Sequence, residues 1–123
     1  MIINNIQLYR ITNSVQKKFK ERAKHNNNQS REYIERKLSA LIHNASKKDL
    51  DKNRFKYTFC GFKIFVNEKD KVIYNISWVN ENHMGFRPSK ELAQNLEHTN
   101  LVLGMDGSGN KLLASLDEIK KFL

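Results

Sequence analysis

Arg54-Phe55-Lys56-Tyr57-Thr58-Phe59-Cys60-Gly61-Phe62-Lys63-Ile64-Phe65-Val66 is the stretch whose reading decides the fold. Phe55, Tyr57 and Phe59 alternate with Lys56 and Thr58, so one face of residues 54–60 is aromatic and the other polar. A period of two marks a strand with one covered side. Gly61 permits a tight link into residues 62–66. The charged link Asn67 to Lys71 then leads into Val72-Ile73-Tyr74-Asn75-Ile76-Ser77-Trp78-Val79. Three runs of this length suit an antiparallel meander with elements packed on one face. Within it Cys60 reads as a buried, inert strand thiol, and Tyr74 and Trp78 share a face that reads either as core against the second helix or as a stacking surface for bases.

Upstream, Ile6, Leu8 and Ile11 nearly alternate and predict a short strand at about 5–11. Thr12-Asn13-Ser14 supplies N-cap candidates, with Gln16 three residues after Asn13 as in a capping box. Val15, Phe19 and Ala23 lie one turn apart and predict a helix over 14–25. After the polar break Asn26 to Ser30, Ser30 caps a second helix with Ile34, Leu38, Leu41, Ile42 and Ala45 on its apolar side. That helix ends near 44–46, before the polar run Lys47 to Asn53.

Downstream, residues 80–88 read as a loop, and Ser89 or Pro88 opens a short helix carrying Leu92, Ala93 and Leu96. Leu101 to Met105 reads as a strand, Asp106 to Asn110 as a Gly-rich turn, and Lys111 to Ala114 as a returning strand. Ser115 and Glu118 then cap a terminal helix. The predicted class is α+β: strand-helix-helix, an antiparallel three-strand meander, and a C-terminal helix/hairpin/helix extension. One domain covers 1–123, with a basic core at about 5–80 and a neutral extension at about 81–123.

The charge is lopsided. The 123 residues carry 22 Lys and Arg against 13 Asp and Glu, a net of +9. Residues 1–60 hold 14 basic and 5 acidic side chains, so the whole excess lies there, while residues 61–123 hold 8 of each. A concentrated patch points to a polyanionic partner more strongly than a uniformly raised pI does. The cations proposed to bind nucleic acid are Lys17, Lys18, Lys20, Arg22, Lys24, Arg31, Arg36, Lys37 and Arg54. A Lys-rich helix can equally be a solvated surface.

Other classes are disfavoured. The single cysteine excludes an internal disulfide and any multi-cysteine zinc site, and His43, His83 and His98 add no zinc-like spacing. No metal or cofactor is expected. No apolar run approaches the roughly 20 residues that span a bilayer, and residues 1–5 lack a signal-peptide pattern. A cytoplasmic protein without membrane contact is expected.

The order strand, helix, helix, strands resembles the RelE/ParE and BrnT-like small bacterial toxin superfamily over about residues 6–79. The resemblance rests on Ile11-Thr12-Asn13-Ser14-Val15-Gln16-Lys17-Lys18-Phe19-Lys20-Glu21-Arg22, then Arg54-Phe55-Lys56-Tyr57, Gly61 and Val72 to Trp78. It implies metal-independent RNA cleavage on a basic sheet face. Ser14 stands where that pattern has histidine and Lys18 where it has its first arginine, so Arg22 and Arg54 remain as phosphate ligands. Arg22, Arg54 and Tyr57 form the candidate catalytic set: the arginines would stabilise phosphorane charge, and Tyr57 would stack or donate a proton. Tyr57 also reads as core, since it alternates with Phe55 and Phe59. His25 reads as a proton-transfer candidate or as an ordinary helix-end histidine.

Two functions are therefore expected. The first is a non-catalytic binder of RNA or DNA, or an inhibitor of a nucleic-acid-handling protein, of the kind carried by a bacterial mobile element. The second is a RelE/BrnT-like ribonuclease toxin with an acidic protein partner.

Overall fold

A computed structural model describes residues 2–22, 29–78 and 89–105. Lys24, His25, the expected loop at 80–88, and the Gly-rich turn, returning strand and terminal helix after residue 105 lie outside the described residues.

Asn4 and Asn5 take φ values of 46° and 68°. Two successive left-handed residues make the tight turn that matches strand twist, and asparagine tolerates that region better than most residues. The turn joins β1 (Ile2–Ile3) to β2 (Ile6–Gln7) as a small antiparallel pair. β3 (Arg10–Ile11) then leaves to join the main sheet. The single strand expected at 5–11 is thus in pieces. Its backbone is claimed elsewhere: the Tyr9 N–H donates to Ser39 Oγ at 2.9 Å, and the Arg10 N–H to the Lys71 carbonyl at 3.0 Å.

The main sheet adds β4 (Ser46–Asp51), β5 (Arg54–Phe59), β6 (Phe62–Asn67) and β7 (Val72–Trp78), in the order β3-β7-β6-β5-β4. β4 to β7 run antiparallel, and β3 lies parallel to β7. The meander therefore has four strands, not three. The polar run after the second helix is the edge strand β4, all six of whose residues are exposed. No burial alternation is imprinted on such a strand, and charged residues are common on sheet edges.

Cys60 and Gly61 form the two-residue turn between β5 and β6, with φ of 49° and 88°. Cys60 is consequently exposed at a hairpin tip rather than buried in a strand.

The connection from β3 to the meander is helical. Thr12 Oγ1 accepts from the Val15 N–H at 3.2 Å and starts α1 (Asn13–Arg22). Ser30 Oγ accepts from the Tyr33 N–H at 3.1 Å and starts α2 (Arg31–His43), as its sequence position suggests. Ser89 caps α3 (Lys90–Val102) through the Leu92 N–H at 3.2 Å.

α2 is apolar on two sides because it is packed on two sides. Ile34, Leu38, Leu41 and Ile42 join Tyr57, Phe59, Ile64, Ile73 and Ile76 of the sheet in one core, to which Leu96, Val102, Leu103 and Met105 also belong. Leu101 to Met105, expected as a strand, is instead the end of α3 and the turn after it. The Leu103 N–H bonds Thr99 O at 3.0 Å, and the Met105 N–H bonds Asn100 O at 2.9 Å. Its run of apolar residues reflects burial, which a short run shares between helix and strand.

Candidate functional site

Alternation divides the sheet into two unlike faces. Tyr57, Phe59, Phe62, Ile64, Val66, Ile73 and Ile76 are buried in the core. The residues between them carry Ser46, Lys48, Arg54, Lys56, Thr58, Lys63, Phe65, Asn67, Tyr74, Asn75 and Ser77 to the other face, where no side chain is buried. Among the described residues the acidic side chain on this face is Asp51, opposite Arg54 and ion-paired with it.

The pairing register orders this outer face into rows. Lys48 lies opposite Lys56, Lys56 opposite Phe65, and Phe65 opposite Asn75. At the far end Lys18 of α1 donates from Nζ to Asn75 Oδ1 at 3.3 Å, so a helix lysine closes the row. One row thus crosses four strands, with cations at both ends and an aromatic ring inside. The neighbouring row holds Ser46, Thr58, Lys63 and Ser77.

A bulge completes the arrangement. The β6–β7 register slips between Phe65 and Val66, so Val66 pairs with Ile73 while Phe65 pairs with Asn75. Ile73 and Ile76 both stay in the core, and Tyr74 and Asn75 both reach the outer face. The ring centroids of Tyr74 and Phe65 lie 6.2 Å apart, tilted by 46°. Bulges re-aim side chains in this way next to functional surfaces. The slip also breaks the strict alternation that the sequence suggests for Tyr74 and Trp78; the Trp78 backbone pairs with Phe62.

Lysines directly opposite on adjacent strands repel, yet none of Lys48, Lys56 and Lys63 is ion-paired among the described residues. Arg54 differs. Its Nε donates to Asp51 Oδ2 at 2.8 Å, with a second contact from Nη2. That hydrogen bond is the main reason the guanidinium is held above its usual value and Asp51 below its own, with Tyr74 adding a smaller effect on Arg54.

The cations singled out from sequence are dispersed. Lys17 is exposed and Lys20 half-buried on α1, where with Asn13, Gln16 and Glu21 they line an open depression of about 430 Å³. Arg31 ties helices together: it donates to the Ile11 carbonyl, to Asn13 Oδ1 at 2.6 Å and to Gln16 Oε1 at 3.2 Å. Arg36 spans Glu32 at 2.9 Å and the Leu103 carbonyl, joining α2 to the end of α3. Lys37 is half-buried on α2. Arg22 lies at the end of α1, and its side chain is outside the described residues. Among the described side chains, Arg54 is thus brought to the outer face, and Lys18 reaches Asn75 from α1.

Tyr57 belongs to a different cluster, on the core side. Tyr57 and Tyr9 both donate their hydroxyl hydrogens to Glu68 Oε1, the latter at 2.9 Å, and Lys71 Nζ lies 2.6 Å from Glu68 Oε2. Burial pushes the Tyr9 hydroxyl up to about 12, and burial with the bond to Glu68 pushes Tyr57 up as well. Burial alone would raise Glu68; the bonds from Lys71, Tyr57 and Tyr9 outweigh it and hold the carboxyl below its usual range. A tyrosine so arranged is a neutral hydrogen-bond donor to a structural carboxylate.

Sequence reading missed Lys48, Lys56, Lys63 and Phe65 as candidate contacts. The signal was present in the polar side of the alternation at 54–60, once residues 46–51 are read as a further strand. Among the described residues no group of three His, Cys, Asp or Glu is placed to hold a metal ion. Among them, too, no helix is long and apolar enough to cross a membrane. Comparison with protein-family models, curated proteins and solved structures finds no match to the chain.

Proposed function

We propose that this protein is a non-catalytic nucleic-acid-binding protein that docks its ligand on the outer face of the sheet. The observation that carries this reading is the cross-strand pair Lys48 and Lys56, without an ion-pair partner among the described residues and extended by Lys63 and Lys18 around Phe65 and Tyr74. Such a surface costs stability by itself, and a phosphate backbone supplies the missing counter-charge. Interleaved aromatic rings suit a ligand that carries planar bases as well as phosphates.

The test is fluorescence anisotropy with labelled RNA and DNA oligonucleotides, between about 50 and 200 mM salt. Affinity is expected to fall steeply with salt, and Lys56→Gln to reduce the logarithmic slope by about one unit. Binding that ignores salt, or an unchanged slope in that variant, contradicts the proposal. Capture of an acidic protein with no oligonucleotide binding would favour the inhibitor reading instead. Cleavage of the labelled RNA that persists without divalent ions would favour the ribonuclease reading.

A further inference from the structure

We infer that the outer face selects single-stranded nucleic acid over duplex, by stacking bases on the Phe65–Tyr74 pair while the flanking lysines hold the phosphates. This deepens the proposed function and rests on it.

The geometry separates two tasks. Phe65 lies on β6, the middle strand of the five, and Tyr74 on the adjacent β7, with their rings in contact. The cations lie to either side: Lys56 next to Phe65 on β5, Lys48 beyond it at the edge strand, and Lys18 over Asn75. Three strand spacings of about 4.8 Å separate Lys48 from Asn75, so the row is roughly 14 Å long. A strand of nucleic acid laid along it meets a cation, then aromatic rings, then a cation.

Duplex cannot use the middle of that row. Its base faces are stacked on one another, and proteins reach only the base edges, inside grooves. The described sheet face offers half-buried rings between lysines, and against a duplex those rings would meet the sugar-phosphate exterior. Unpaired bases expose both faces, and each base stacked on an aromatic side chain adds to affinity with little regard to sequence. The bulge matters here as well. Without it the residue after Ile73 and the residue paired with Phe65 would be the same, and Tyr74 and Asn75 could not both lie on this face.

The experiment compares one sequence as single strand and as duplex, at fixed salt, by anisotropy, with Phe65→Leu, Tyr74→Leu and Tyr74→Phe. Circular dichroism first establishes that each variant is folded; the Phe variant keeps the ring if the Leu variant does not fold. The parent is expected to bind the single strand at least tenfold more tightly than duplex. Phe65→Leu or Tyr74→Leu should lower single-strand affinity about tenfold while leaving duplex affinity unchanged, and Tyr74→Phe should behave as the parent. Equal affinity for the two forms, an equal loss for both, or Leu variants that bind single strands as the parent does overturns the stacking inference. Salt-dependent binding in those cases would leave the wider nucleic-acid reading standing. Failure to bind either form overturns both.

Discussion

Arg54 and Tyr57 stand three positions apart on β5 and point to opposite sides of the sheet. Arg54 meets Asp51 on the open face, whereas Tyr57 bonds Glu68 beneath the helices. A catalytic group and a phosphate ligand must converge on one reacting centre, and these two do not. Tyr57→Phe should therefore leave oligonucleotide binding unchanged. It should cost roughly 1–2 kcal/mol in denaturant unfolding, because Glu68 loses one donor in a half-buried site. Lost binding with unchanged stability would contradict this assignment.

Lys56→Glu should separate binding from stability. It replaces a repulsive cross-strand pair with an attractive one, worth roughly 0.2–1 kcal/mol of added stability. The same change should weaken oligonucleotide binding. Urea unfolding and anisotropy on one preparation read both effects, and opposite signs are the expected outcome.

The Glu68 cluster predicts an acid limit and an alkaline one. The folded state holds Glu68 below its usual pKa, so the unfolded chain takes up protons first as pH falls. The stability from this group is complete above the ordinary carboxylate value near 4.5 and is lost as pH falls through the lower, folded value. Tyr9 acts in the other sense: its hydroxyl is raised to about 12, so its contribution is complete below about 10 and is lost as pH rises between the two. Thermal unfolding across pH should show both declines, and Glu68→Gln should flatten the acid one.

Cys60 occupies a left-handed position at φ 49° beside Gly61. Asparagine suits that place far better, and Asn-Gly is the favoured pair for this turn. Cys60→Asn should raise stability by about 0.5–1 kcal/mol with no change in binding, as read by calorimetry and anisotropy.

Elements that bury a regular stripe were legible in the sequence. Ile34, Leu38 and Leu41 declared α2, and Phe55, Tyr57 and Phe59 declared β5, because each set recurs at its element's period and packs against the core. Two elements were not. β4 buries nothing, so Lys47 to Asp51 carries no period, and only its ladder with β5 reveals it. Leu101 to Met105 is uniformly apolar because all of it but Leu101 is buried, which hides whether the chain coils or extends. The candidate site suffered from the first effect. Net charge pointed to the N-terminal half, but Arg31 and Arg36 are used within the fold, while Lys48 joins Lys56 only through a strand the pattern did not show. The bulge that brings out Tyr74 also leaves no trace in residue types.

The most direct measurement is an amide chemical-shift titration of the labelled protein with a single-stranded oligonucleotide. Binding on the outer face predicts perturbations at Lys48, Lys56, Lys63, Phe65, Tyr74 and Asn75, together with Lys18, at substoichiometric ligand. Perturbations confined to α2 and α3, with those residues unmoved, would contradict it.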